Sequence, residues 1–217
     1  MQNASMNCDA LAPYYNVLEH LSFGRFLERT RCAFLEEAIR SRRAILCGGG
    51  DGRFLSRLLQ VNSSVNVDFV DLSPKMVQLA ERRVATMGQT FRDRVRFHTC
   101  DVRNFVPQLA SYDLIVTHFF LDCFSDADLP GIVDTLANWA NSDARWIVSE
   151  FRERGGPIGR VWTQALIHCL YAAFSFTTGL RVTHLPDYVA ALERGGYSLS
   201  CEEKILGGLL HSSLWTV

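Results

Sequence analysis

Short apolar runs alternate with longer stretches of mixed polarity along most of this chain. The runs lie at 43–47, 66–70, 95–99, 112–117 and 144–150 and are almost continuously apolar. Unbroken runs of that length predict strands buried on both faces of a parallel sheet. Helical periodicity over 53–60, 74–87, 103–110 and 126–140 predicts the helices that cover those faces. Ahead of the first run, Pro13 to about Arg42 reads as two helices broken near Ser22-Phe-Gly24, with Phe26, Leu27, Ala33, Phe34 and Ala38 forming a stripe. Past the fifth run, a helix near Pro186–Arg194 precedes two strand-like segments, Tyr197–Ile205 and Leu209–Val217, joined by Gly207-Gly208. The pattern predicts an α/β chain: a Rossmann-like, doubly wound, seven-stranded sheet, mostly parallel with an antiparallel C-terminal hairpin, and helices on both faces. Residues 1–42 read as an N-terminal helical cap. Residues 43–217 read as the main domain, with a helical lid inserted at about 155–182.

The first βαβ unit carries the candidate chemistry. Its strand ends in Cys47-Gly-Gly-Gly-Asp-Gly52, and the next strand ends on Asp71. Gly48, Gly50 and Gly52 allow a sharp turn out of a strand and a close approach of backbone to a ligand. A helix opening at Asp51-Gly52 points free N–H groups into the same space. Asp71 stands where a carboxylate accepts hydrogen bonds from the two vicinal hydroxyls of a ribose, charge-assisted bonds worth roughly 1.5–3 kcal/mol each. A nicotinamide site wants G-x-G-x-x-G, which places a glycine at 53, and Arg53 stands there.

The spacing through Gly48, Gly50 and Gly52 instead resembles motif I of the class I S-adenosylmethionine-dependent methyltransferases. Asp71-Leu-Ser-Pro-Lys-Met76 resembles their motif II, Val95-Arg-Phe-His-Thr-Cys-Asp101-Val102 their motif III, and Tyr112-Asp113-Leu-Ile-Val-Thr-His118 their motif IV. The likeness covers roughly 40–217. It implies S-adenosylmethionine as cofactor, with Gly48, Gly50, Asp51, Gly52, Asp71, Leu72, Met76, Asp101, Val102 and Thr117 as binding residues. Met76 would lie on the adenine, and Asp101 would take the adenine amino group. The family's usual acid two residues before the first glycine is replaced by Leu46, and Asp51 is a candidate substitute. Leu-Ala-Pro-Tyr-Tyr (11–15) and Leu-Ser-Phe-Gly (21–24) are similar to the opening of the quinone-biosynthesis and related lipid methyltransferases, which makes Tyr14 a candidate lid or substrate contact.

Composition narrows the partners. The chain has 217 residues, 48% of them hydrophobic, and a net charge of −1, which leaves no global basic field for nucleic acid. Seven cysteines form no C-x-x-C pair and no ligand spacing with histidine, so reduced thiols in a cytoplasmic protein are expected, and no metal site. The N-terminus lacks the charged and apolar regions of a secretory signal.

On the acceptor side, the residues after the fourth run read Thr117-His-Phe-Phe-Leu-Asp-Cys-Phe124. Phe119, Phe120 and Phe124 suit a largely apolar acceptor. His118 is the general-base candidate, with Asp122 one helical turn on as its orienting partner. Glu150, ending the fifth run, is a candidate substrate contact. The stretch Val161–Leu180 contains no Asp, Glu, Lys or Arg, yet Thr163, Gln164 and His168 interrupt it, so stable membrane insertion is not expected. Its two apolar stripes need two surfaces, which leaves a lid, a homodimer contact or a core helix open. Trp162, His168 and Tyr171 within it are candidate substrate contacts. The sequence therefore points to methyl transfer onto a small hydrophobic acceptor. A nicotinamide-dependent oxidoreductase and a non-catalytic cofactor-binding protein of the same fold are the alternatives.

Overall fold

The computed structural model describes residues 24–107, 111–152 and 185–217. Seven strands, β1 (Arg43–Cys47), β2 (Asn66–Asp71), β3 (Val95–Thr99), β4 (Tyr112–His118), β5 (Ala140–Phe151), β6 (Ser198–Ile205) and β7 (Leu210–Thr216), form one sheet in the order β3-β2-β1-β4-β5-β7-β6. The first five run parallel, from Arg43 opposite Asn66 on one side to His118 opposite Ser149 on the other. β7 lies antiparallel between β5 and β6. This is the mixed sheet with an antiparallel hairpin that the apolar runs predict. The hairpin turns where Gly207 (φ 62°) and Gly208 (φ 88°) adopt left-handed conformations closed to most side chains.

The helices are α1 (Gly24–Cys32), α2 (Arg53–Val61), α3 (Pro74–Ala85), α4 (Gln89–Arg92), α5 (Leu129–Trp139) and α6 (Tyr188–Arg194). Successive β1 residues point to opposite faces, as a strand requires. Ile45 and Cys47 join the core packed by Ile132, Leu136 and Leu192, whereas Ala44 and Leu46 join the core packed by Leu55, Leu58 and Ala80. Two apolar layers thus hold helices on both faces, and the chain reverses its direction of winding between β1 and β4. In such sheets the crevice beyond the C-terminal strand ends, at that reversal, is where ligands bind.

Three boundaries differ from the sequence pattern. The helix expected over 103–110 is, among the described residues, a 3-10 turn (Val102–Asn104) followed by extended chain. Pro107 explains this: the residue before a proline is pushed out of helical geometry, and the ring supplies no N–H. Phe105 gains a core position instead, packing edge-on against Trp139. α5 starts at Leu129 rather than 126, with Pro130 in its first turn. β5 begins at Ala140 rather than 144, and its register with β4 shifts between Tyr112 and Leu114.

α1 is fixed to the sheet by several small interactions. Leu27 packs with Ile205 and Leu210, Ser149 Oγ donates to the Thr30 carbonyl at 3.2 Å, and Arg29 pairs with Glu203 at 2.7 Å. The helix expected from Pro13, the lid at 155–182 with the apolar stretch 161–180, and Tyr14, Trp162, His168 and Tyr171 lie outside the described residues. Among those described, no helix is long and apolar enough to cross a membrane, and no group of His, Cys, Asp or Glu could hold a metal ion.

Candidate active site

The glycine loop between β1 and α2 forms one wall of a pocket at the switch point. The pocket is lined by Leu46 to Asp51 in sequence, by Arg53 and Phe54 of α2, by Val116 and His118 of β4, and by Arg31 and Phe119. Gly48, Gly50 and Gly52 all take positive φ. A Cβ at Gly50 would meet nothing within 4 Å, so its face is open to a ligand. A Cβ at Gly52 would stand 2.7 Å from Ala80 Cβ and 2.8 Å from Ala80 Cα, so that glycine sets how closely α2 crosses α3. The two glycines do different work.

Asp71 ends β2 beside this loop. Its Oδ2 accepts from Gly50 N at 3.0 Å, and its Oδ1 accepts from Ser73 N at 2.9 Å. The two bonds pin the carboxylate flat across the end of the strand and leave lone pairs on both oxygens. Burial pushes its pKa up to about 6, against the pull of the two N–H groups. Ser73 then caps α3, its Oγ accepting from Met76 N. Leu72 is exposed beside Asp71, whereas Met76 and Val102 are buried.

Four expected roles meet competing geometry. Asp51 lines the pocket, but its Oδ2 accepts from Arg53 Nε at 2.9 Å and from Arg83 Nη2 at 3.1 Å. Two guanidinium groups therefore occupy the carboxylate proposed to replace the acid missing at Leu46. Asp101 forms a forked pair with Arg103 and caps the 3-10 turn, which holds its carboxyl below the usual range. Thr117 is fully buried, its Oγ1 accepting from Trp146 Nε1 at 2.9 Å, so it belongs to the core rather than the cofactor wall. His118 and Asp122 form no hydrogen bond with each other: among the described residues both ring nitrogens of His118 lack a partner, while Asp122 lies close enough to Glu150 to raise its pKa.

His118 is almost wholly buried, with its ring edge-on to Phe54 at 4.6 Å. Burial, aided by the charge of Arg31, lowers its pKa well below the usual imidazole value. It is neutral at physiological pH and a weak base. Glu150 Oε1 accepts from Phe120 N at 3.0 Å and Leu121 N at 2.8 Å, which ties β5 to the turn after β4. Its Oε2 has no partner among the described residues, and burial together with Asp122 raises its pKa well above the usual carboxyl range.

The three phenylalanines do not share one wall. Phe119 (φ 54°) lines the pocket and packs on Phe151. Phe120 and Phe124 pack together at 5.1 Å against the core, with Phe120 next to Gly48. Arg31 and Phe54 were not singled out from sequence, for neither sits in a motif. Arg31 reaches the pocket only through the docking of α1, its guanidinium 5.3 Å from the Phe119 ring centroid.

Residues 47–145 match the family model described as a methyltransferase domain. Polyamine aminopropyltransferase 2 of Bacillus anthracis is 31% identical over 90 residues, which is 39% of this chain and 25% of that protein. The chain thus spans about a quarter of the length of the curated relatives it matches. Among solved structures, an O-methyltransferase family protein from Burkholderia thailandensis superposes with a TM-score of 0.71 at 15% identity, covering 96% of this chain and 60% of that one. The N-methyltransferase NodS from Bradyrhizobium japonicum, solved with S-adenosyl-L-homocysteine, gives 0.66 at 12% identity over 91% and 90% of the two chains. At these identities the structural likeness establishes the fold, a methyltransferase-type Rossmann-like sheet.

Proposed function

We propose that this chain, whose residues 47–145 match the model of a methyltransferase domain, uses S-adenosylmethionine to transfer a methyl group to a small, largely hydrophobic acceptor. The carrying observation is Asp71, pinned by Gly50 N and Ser73 N beside a glycine face with nothing within 4 Å. That pairing fits a nucleoside whose ribose hydroxyls donate to the carboxylate while its chain passes over the loop. Leu72, Met76 and Val102 would border the adenine, and an adenine amino group would share the Asp101 carboxylate with Arg103.

When bound, S-adenosylmethionine supplies an electrophilic methyl group on a sulfonium, so what the chain must add is orientation and exclusion of water. The turn after β4, held by Glu150, carries Phe119 at the pocket. Support for a hydrophobic acceptor comes from that ring, from the apolar stretch 161–180 and from the likeness of residues 11–24 to the quinone and lipid methyltransferases. His118, neutral and weakly basic, is a poorer proton acceptor than its sequence position suggests, so acceptors that are nucleophilic without a strong base fit best.

Aminopropyl transfer is a second reading, favoured by the 31% identity to the Bacillus aminopropyltransferases. Its donor has the same adenosyl sulfonium, but the side chain ends in an ammonium with no carboxylate. Calorimetric titration with S-adenosylhomocysteine and with NADH, with Asp71→Ala as control, tests the donor. Binding of the first alone, lost in the variant, is expected; binding of NADH alone would overturn the reading.

A further inference from the structure

Two aromatic rings hold the glycine loop. From β2, Phe69 fills the space at Gly49, where a Cβ would stand 2.1 Å from its Cε2, and Gly48 N donates to the Val70 carbonyl at 2.9 Å. From the turn after β4, Phe120 fills the space at Gly48, where a Cβ would stand 2.5 Å from its Cδ2 and 3.1 Å from its Cβ. The position of Phe120 therefore bears directly on the loop. The turn that carries it is strained, because Phe119 takes φ 54°, a left-handed conformation uncommon for a large side chain. Such a conformation persists only where the surroundings fix it. Here β5 does so. Phe119 N donates to the Ser149 carbonyl at 2.7 Å, and Phe120 N and Leu121 N donate to Glu150 Oε1 at 3.0 and 2.8 Å. Asp122 N donates to the same carboxyl group. Successive N–H groups that converge on one acceptor are how backbone turns hold anions, and the occupant here is a side chain of the same protein.

We infer that Glu150 is a positioning residue: by holding the turn after β4 it seats the Phe120 ring on Gly48, and so sets the shape of the glycine loop without touching a ligand. At 1% exposure it offers an acceptor almost no surface, which separates this role from the substrate contact expected at the end of the fifth run. The path from it is short. Glu150 holds Phe120 N, the Phe120 ring meets Gly48, and two residues on Gly50 N donates to Asp71 Oδ2 at 3.0 Å. A loop that loses the ring therefore also loosens the carboxylate proposed for the ribose. The same turn carries Phe119 at the pocket wall, so one buried side chain places both the loop and that ring. The effect on the donor rests on the proposed function, whereas the contact between turn and loop does not.

Calorimetric titration with S-adenosylhomocysteine, at a temperature where every variant is folded, reads the effect on the loop. Glu150→Ala is expected to weaken binding by about 2–30-fold, the range for residues that act on a site without touching its ligand. Glu150→Gln keeps an acceptor for the same N–H groups and is expected to restore the affinity. Phe120→Ala is expected to cost as much as Glu150→Ala, and the double variant no more than either, because both break one path. Additive losses would overturn the inference. So would an equal loss in Val95→Ala, a core truncation at the start of β3, since destabilisation alone would then suffice. Glu150→Asp, one methylene shorter, takes the place of Glu150→Ala if that variant does not fold. Hydrogen exchange over residues 47–52 of the ligand-free protein, followed by mass spectrometry, tests the contact apart from any donor. Exchange is expected to be faster in Glu150→Ala and Phe120→Ala than in the wild type and in Val95→Ala, and unchanged rates would overturn the positioning role. A wild type that does not bind S-adenosylhomocysteine, with the faster exchange still seen in the variants, would overturn the donor reading and leave the positioning role standing.

Discussion

At Asp71 the geometry that suits a ribose works against the ligand-free fold. Its pKa, raised to about 6, means that the folded state holds a proton that the unfolded chain has already released. Stability from this group is therefore fully present below the ordinary aspartate pKa near 4 and is lost as pH rises through 6. Ligand binding has the opposite sign, because only the ionised carboxylate accepts from both hydroxyls while keeping its bonds to Gly50 N and Ser73 N. The affinity for S-adenosylhomocysteine is expected to fall as pH drops from 7 to 5, as followed by calorimetry. Over the same range the thermal stability of the ligand-free wild type should rise relative to Asp71→Asn. A binding curve flat through pH 6 would remove Asp71 from the ribose site. Among the candidate site residues, the placing of Asp71 beside the glycine turn was legible, because strand ends and positive-φ glycines recur at a set spacing. The pairing of Asp51 with Arg53 and Arg83 was not legible, because those guanidinium groups reach it only in the folded chain.

Among the elements, the glycine loop serves two purposes that substitution separates. Gly52→Ala places a methyl group 2.7 Å from Ala80 Cβ at φ 77°, and strain with overpacking is expected to cost about 2–5 kcal/mol. Gly50→Ala meets open space, so only the left-handed backbone penalty of about 1–2 kcal/mol applies, while the methyl stands where the ligand passes. Thermal unfolding should thus fall much more for Gly52→Ala, and loss of nucleoside affinity at preserved fold should mark Gly50→Ala. Equal unfolding shifts would contradict the assignment of the α2–α3 contact. The pattern also missed the chain after Val102, where Pro107 overrides apolar spacing that reads as helix. Local sequence states what a segment prefers in isolation; the helix lost there is replaced by the packing of Phe105 on Trp139.

For the molecule as a whole, Glu150 joins the two halves of the switch point. It rises from β5, holds the turn after β4 through Phe120 N and Leu121 N, and is buried beside Asp122. Its raised pKa means that its contribution to stability is greatest below the ordinary glutamate value and declines as pH rises above about 4.5. Glu150→Gln mimics the protonated acid, keeps an acceptor for the two N–H groups and removes the penalty. The variant is expected to unfold at a higher temperature than the wild type at pH 8, with the difference shrinking towards pH 5. Calorimetric scans across that range check the sign, and a difference that grows on acidification would refute it. The same carboxylate shows why the acceptor side was harder to read than the donor side: Glu150, Asp122 and His118 come from two strands and a turn, and no spacing along the chain states which of them meet.

The sequence by itself determined the order of strands and helices, the mixed sheet and the glycine turn after β1. Each depends on local periodicity or on glycines that the backbone cannot exchange. Only the tertiary structure decided which polar groups meet, as when Arg53 and Arg83 both reach Asp51. It placed Arg31 at the pocket through the docking of α1 and left His118 without a hydrogen bond to Asp122. It also left Leu46 almost wholly buried at the wall of the pocket. Such choices are made by contacts between residues far apart in the chain, where burial sets charge and a neighbour's hydrogen bond decides which group remains for a ligand.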